Sequence, residues 1–163
     1  MGFLSWIGKG LKTFFTPESF KTGEKFENYV RKKIFTDRYF ELIQRTYGYN
    51  EKKNKYVPSS NPDFKLRDRR TSKTFYAEVK YRKYFYKGKV TWCTEEQLNH
   101  YRQCNREAPV FIILGIGTVP HRPEFVFLVP LKVANFTQFY FSEIRKYRIH
   151  PRHSLTSKRL WRR

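Results

Sequence analysis

The apolar positions change period several times along the chain, and each change marks an element. Phe3, Leu4, Trp6, Ile7, Leu11, Phe14 and Phe15 recur at roughly helical spacing, with Lys9 and Lys12 between them, which predicts an amphipathic N-terminal arm. Thr16-Pro17-Glu18 separates that arm from the rest of the chain. Thr22 can cap a helix from about Gly23 to Phe35, with Phe26, Tyr29, Val30 and Ile34 along one side. Residues 39–49 are mixed, and Phe40, Leu42 and Ile43 suit either a strand or the end of a helical hairpin. Residues 50–62 are polar and carry Pro58 and Pro62, the composition of a loop. Asp63 to Arg69 and Thr74 to Arg82 then read as two strands, joined as a hairpin by the short polar stretch between them.

A shorter strand is predicted through Val90-Thr91-Trp92, and a helix from Thr94 to about Arg106. Val110 to Ile116 is an unbroken apolar run, the pattern of a strand buried on both faces. Phe125 to Val129 adds another strand, and Leu131 onward reads as helix followed by a basic tail. The succession predicts an α/β fold with a mixed central sheet flanked by helices. It divides into an arm over 1–19, a core over 20–130 and a C-terminal helical and basic extension over 131–163.

Composition narrows the class of partner. Thirty-four lysines and arginines against 14 aspartates and glutamates leave a net charge of +20, spread over the whole length of 163 residues. Such a chain is drawn to polyanions, nucleic acid first and an anionic membrane surface second. No apolar run approaches the length of a spanning helix, so membrane contact would fall to the arm. Two cysteines, Cys93 and Cys104, form neither a disulfide framework nor a CxxC motif, and His100, His121, His150 and His153 lack zinc-type spacing with them. A nucleic-acid-associated protein of the cytoplasm is the expectation. Tyrosines alternate with lysines between Tyr81 and Lys87, which suits base stacking beside phosphate contacts as well as an aromatic hairpin with solvated lysines. Lys65, Arg82, Lys83, Tyr84, Lys87 and Tyr101 are the candidate nucleic-acid contacts.

The candidate chemistry lies on the strand Phe75 to Arg82. Side chains alternate, so Phe75, Ala77, Val79 and Tyr81 share one face while Tyr76, Glu78, Lys80 and Arg82 share the other. Taken alone, Glu78-Val79-Lys80 describes any solvated strand face. Asn61-Pro62-Asp63 changes that. Pro62 cannot donate to a sheet ladder and so marks a strand start, and a hairpin would set Asp63 beside Glu78, 78 − 63 = 15 positions on. Two close carboxylates repel unless a cation lies between them, and a hard divalent ion is commonly held by one or two carboxylates. Lys80 projects from the same face. On the first helix Glu27 flanks the apolar stripe and faces the sheet, whereas Glu24 points away in the first turn, where it offsets the helix dipole. On the second helix Gln97 can complete a capping box with Thr94, or reach the sheet together with Tyr101 one turn later.

The set Gly23-Glu24-Lys25-Phe26-Glu27, Pro62-Asp63, Glu78-Val79-Lys80 and Gln97-x-x-x-Tyr101 resembles the PD-(D/E)xK nuclease superfamily over roughly residues 20 to 117, and within it the Holliday-junction-resolvase-like and restriction-endonuclease-like branches. The resemblance implies an αβββαβ core and phosphodiester cleavage that depends on Mg²⁺ or Mn²⁺. It implies metal binding by Asp63, Glu78 and the Val79 carbonyl, assistance to the attacking water by Lys80, and supporting roles for Glu27 and Gln97. DNA is favoured over RNA as the partner, and many relatives dimerise. Asn61 before the proline and the aromatic-basic segment from Tyr84 to Trp92 depart from the pattern and leave the substrate open. The alternatives are a nucleic-acid-binding module on an inactive nuclease-like core, and a basic protein held at a membrane surface.

Overall fold

The alternating and continuous apolar segments assemble into one six-stranded sheet. The computed structural model describes residues 17–46, 49–50, 55–56 and 61–162, so the predicted N-terminal arm lies almost wholly outside the described residues. Helix α1 spans Pro17–Tyr29 and continues as a π-turn over Val30–Ile34. It starts six residues before the expected position because Pro17, without an N–H to lose, serves as a first helical residue. The strands of the sheet are β1 Phe40–Arg45, β4 Phe64–Asp68, β5 Thr74–Arg82, β7 Val110–Ile116, β8 Phe125–Pro130 and β10 Arg148–Ile149, in that spatial order. Within the expected polar loop, β2 Tyr49–Asn50 and β3 Lys55–Tyr56 pair as a short antiparallel ladder. A third ladder pairs β6 Lys89–Thr91 with β9 Gln138–Tyr140.

Helix α2, Glu95–Glu107, crosses from β5 to β7, which run parallel, whereas every other neighbour in the sheet is antiparallel. The order α1, β1, β4, β5, α2, β7 is the expected αβββαβ succession, in a mixed sheet with helices. Among the described residues no helix is long and apolar enough to cross a membrane.

Two cores form, one on each face. Phe26, Val30 and Ile34, at helical spacing on α1 and its π-turn, pack with Phe75, Ala77, Val79 and Tyr81 of β5. Gly115 permits this approach: a Cβ there would fall 2.3 Å from the ring of Phe26. The other face buries Trp92, Leu98 and Tyr101 against Ile112, Leu114 and Phe127.

Beyond Leu131 the chain differs from the expected helix. It runs through a 3-10 turn Leu131–Val133, β9, helix α3 Phe141–Ile144, a second 3-10 turn Arg145–Tyr147, β10 and helix α4 Ser157–Trp161. The apolar residues of these short pieces divide between the two cores, Leu131, Ala134, Phe139 and Ile144 on one face and Ile149, Leu155 and Leu160 on the other. Trp161 packs edge-on against Phe75 and Phe111.

One buried polar group holds this last helix. Asp68, at the end of β4 and fully buried, accepts from Ser157 Oγ at 2.5 Å, Trp161 Nε1 at 2.6 Å, Thr71 Oγ1 at 2.7 Å and the Arg70 N–H at 3.0 Å. Burial pushes its carboxyl up, but these four donors more than offset that and hold it below the usual carboxylate range.

Candidate active site

The ladder between β4 and β5 pairs Phe64 with Ala77, and continuing that register one step sets Asp63 opposite Glu78, just past the ladder's end. Side chains directly opposite in an antiparallel pair have Cβ atoms about 4.5–5.5 Å apart. Asp63 Oδ2 accepts from the Val79 N–H at 2.7 Å, which fastens the carboxylate to the strand that carries Glu78. Pro62, buried beside it, fixes the entry to β4.

Glu78 is 3% exposed. Its Oε1 lies 2.6 Å from Lys80 Nζ, and its Oε2 is buried with no hydrogen-bond partner. The face that carries Glu78 and Lys80 is covered, chiefly because α2 and the segment through Trp92 and Cys93 pack over it. A buried carboxylate oxygen left without a donor costs on the order of 1–3 kcal/mol or more. Burial, then the charges of Glu78 and Glu27, push the Asp63 carboxyl well above the usual range, against the opposing pull of Lys80 and the Val79 N–H. The three acids thus act on one another.

Glu27 reaches this cluster from α1, while Glu24 lies exposed in the preceding turn. Burial raises the Glu27 carboxyl to about 7; Arg45 lowers it, and Glu78 and Glu24 raise it further. Arg45, on β1, holds Glu27 Oε2 at 3.1 Å and Asn28 Oδ1 at 2.9 Å and lies over the Phe64 ring. Sequence reasoning missed Arg45, since nothing in the mixed segment around it signals a neighbour on α1.

A carboxyl raised to about 7 binds its proton more tightly in the fold than in the unfolded chain. The stability it lends is present below about 4.5 and is lost as pH rises through about 7. We expect the metal-free protein to lose at most about 3 kcal/mol over that window from this group. Urea unfolding at several pH values checks this: the loss shrinks in Glu27→Gln, and an unchanged profile in that variant would contradict it.

Other predicted site residues lie elsewhere. Gln97 is spent on its helix: its Oε1 accepts from the Thr94 N–H at 3.1 Å and its own N–H donates to Thr94 Oγ1 at 3.2 Å, a complete capping box. Tyr101 cannot contact nucleic acid, because it is fully buried and stacked on Trp92. Burial, then the charges of Glu78 and Asp63 and a hydrogen bond with Glu78, push its phenol far above its usual range. Arg82 turns inward and clamps the following segment through the carbonyls of Thr91 at 3.0 Å and Trp92 at 3.3 Å. Lys65 is paired with Glu107 at 2.7 Å and lies over the Tyr76 ring.

Lys83, Tyr84 and Lys87 do stand in solvent. They lie on a tight hairpin in which Tyr86 and Lys89 exchange backbone hydrogen bonds across Lys87 and Gly88, both at positive φ, 50° and 75°. Such turns match the twist of the flanking strands. Phe85 points inward onto Phe127 and Phe141, so Tyr84 and Tyr86 are held outward, 67% and 64% exposed.

Among the described residues no three His, Cys, Asp or Glu side chains gather around a common point, so the acids do not make a closed protein cage. Mg²⁺ seldom uses one: it is held by one or two carboxylates and keeps waters and phosphate oxygens. Asp63 and Glu78 fit that requirement in number and in kind, and the buried Glu78 Oε2, close to the Tyr101 phenol, makes no hydrogen bond of normal geometry.

No family model matches the chain, and no curated protein matches it. Among solved structures it is similar to Hjc, a Holliday junction resolvase from the archaeal hyperthermophile Archaeoglobus fulgidus, at 16% identity and a TM-score of 0.46, over 87% of this chain and 92% of that one. What this chain does must be read from its own side chains.

Proposed function

We propose that the chain is a metal-dependent nuclease that hydrolyses phosphodiester bonds in DNA. The observation that carries this reading is the Asp63–Glu78 pair: two carboxylates set opposite each other, one buried oxygen without a hydrogen bond of normal geometry, with Lys80 on the same face. In this reading Asp63 and Glu78 hold Mg²⁺ or Mn²⁺. The Val79 carbonyl joins them: a strand residue turns its N–H and C=O toward the same neighbour, and here the N–H already meets Asp63. The bound ion supplies charge neutralisation at the phosphoryl group and lowers the pKa of water.

The chain's own groups do the rest. Lys80, now paired with Glu78, presents its ammonium to the attacking water and to charge that builds on phosphate oxygens. Glu27, poised at about 7 and steadied by Arg45, can exchange a proton near neutral pH beside the acids. Gln97 contributes through the helix it caps rather than at the phosphate. The +20 charge holds the backbone of the substrate, so binding weakens steeply with salt.

Incubation of the purified chain with plasmid, branched and single-stranded DNA, in Mg²⁺, Mn²⁺ or EDTA, tests the reading. Cleavage in metal and none in EDTA is expected. Salt-sensitive binding without cleavage under any metal would instead support an inactive binding module.

The hairpin carries a separate expectation. Base–aromatic stacking contributes about 1–3 kcal/mol per base, so Tyr84→Ala should weaken single-stranded DNA binding by roughly tenfold and leave the melting temperature unchanged. Fluorescence anisotropy measures it, and equal affinities for the two proteins would remove Tyr84 from the interface.

A further inference from the structure

The last twenty residues, 144–163, hold eight lysines and arginines and no carboxylate side chain. That run does not hang free. It folds around β10, the strand at the far edge of the sheet from β1, and buries Ile144, Ile149, Leu155 and Leu160. Folding therefore gathers its cations. Lys146, Tyr147, Arg159 and Arg162 line a surface cavity of about 480 Å³. Arg148, Arg152 and Arg159 are all exposed, and with burial and the His153 ring their charges hold the His150 imidazole below its usual range. His150 and His153 stack on each other, ring centroids 3.7 Å apart. None of Arg145, Arg148, Arg152, Lys158, Arg159 and Arg162 is ion-paired to a described carboxylate. Like charges crowded this way raise one another's free energy unless an anion joins them.

A few charges are common on an edge strand, where they discourage pairing with another sheet. Here two observations exceed that need: the cations extend onto α4, off the edge, and they surround a concavity. We infer that this C-terminal surface is a second nucleic-acid site that grips the phosphate backbone away from the catalytic acids, an inference that rests on DNA being the substrate.

The sheet sets the relation between the two sites. Lys80 pairs with Leu114, Leu114 with Phe127 and Phe127 with Arg148. Arg148 therefore lies in the same row as Lys80 and on the same face, three strand spacings or about 14 Å away. That separation is about four nucleotide steps at the 3.4 Å rise of a DNA strand. Leu114 and Phe127, between Lys80 and Arg148, are fully buried, so a strand that meets both sites passes outside the elements that cover this row. Two separated grips fix the direction in which the strand crosses the acids, which one patch alone does not do.

The test uses the full chain in EDTA, so that binding is read without cleavage. A labelled linear duplex is titrated across a salt series with the parent protein, with Arg159→Ala/Arg162→Ala, and with Arg106→Ala/Lys132→Ala, an equal loss of exposed charge on the side of the sheet that α2 covers. If each arginine neutralises one phosphate, the first double variant lowers the slope of log affinity against log salt by about 1.8, and the control by less than half of that. In the parent protein, the duplex also raises the titration midpoint of the His150 ring, read by NMR, because phosphates offset the positive charges that, after burial and His153, hold it low. Equal slopes in the two double variants would overturn the site, as would an unmoved His150. So would affinity for anionic lipid vesicles that depends on Arg159 and Arg162 while duplex affinity does not. Failure here with cleavage intact removes the second grip and leaves the nuclease; success without cleavage in any metal does the reverse.

Discussion

Asp63→Asn should abolish cleavage while making the metal-free protein more stable. The substitution keeps the shape of the side chain and an oxygen to accept from the Val79 N–H. It removes one of the charges that Glu78 and Glu27 oppose. We expect a fall in cleavage rate of about 10³-fold or more, equivalent to about 4 kcal/mol of barrier. The same loss of repulsion should raise stability by about 1 kcal/mol or more near neutral pH. Rates on a labelled duplex and urea midpoints in EDTA give both numbers from one preparation. Opposite signs are what distinguish a working site from a structural one. A pair of acids kept for the fold would lose stability on losing a member, whereas a binding site keeps repulsion that only its ligand relieves. Loss of both stability and cleavage would place Asp63 in the scaffold instead.

The second large effect is on folding and lies far from the acids. Asp68→Ala removes a buried acceptor shared by Ser157, Trp161, Thr71 and the Arg70 N–H. Three side-chain donors lose their partner and α4 loses its tether to β4, at a cost of about 3–5 kcal/mol. For a chain of this size that lowers the melting temperature by roughly 10 °C. The pH dependence carries its own sign. The Asp68 carboxyl is held below its usual range, so the stability it adds is present above that range and is lost as pH falls through the folded value. Asp68→Asn should flatten the acid limb of the stability curve below about pH 4, a window separate from that of Glu27. Scanning calorimetry across pH measures both effects, and an Asp68→Ala melting temperature within a few degrees of the parent would contradict this role.

How much of this was legible in the sequence depends on how local the determining contacts are. The period-two alternation of Phe75 to Arg82 located β5 to the residue, because a strand's pattern is written in its own side chains. Pro62 and the short polar turn after Arg69 likewise placed Asp63 at the mouth of the hairpin. Thr94 to Gln97 offered a four-residue capping box beside the reading of Gln97 as a site residue, and the fold forms the box. Contacts between distant segments left no such mark. Arg45 meets Glu27 across 18 positions and Ser157 meets Asp68 across 89, and neither spacing has a period. Arg82 and Tyr101 carry groups that suit nucleic acid, but which way they turn was decided by what packs on them, and both turn inward. Beyond Leu131, single apolar residues at irregular intervals feed two cores, a pattern that has neither helical nor strand period. The buried Glu78 Oε2 likewise needs the third dimension to be seen.

The central claim is that Asp63 and Glu78 form the metal centre of a nuclease, and binding of Mn²⁺ to the protein tests it most directly. Titration calorimetry should find one site in the parent chain, lost in Asp63→Asn and in Glu78→Gln. Lys80→Ala should retain the site while losing cleavage by about 10²–10⁴-fold. Equal Mn²⁺ binding in all four proteins, or DNA cleavage that persists in EDTA, would contradict the account.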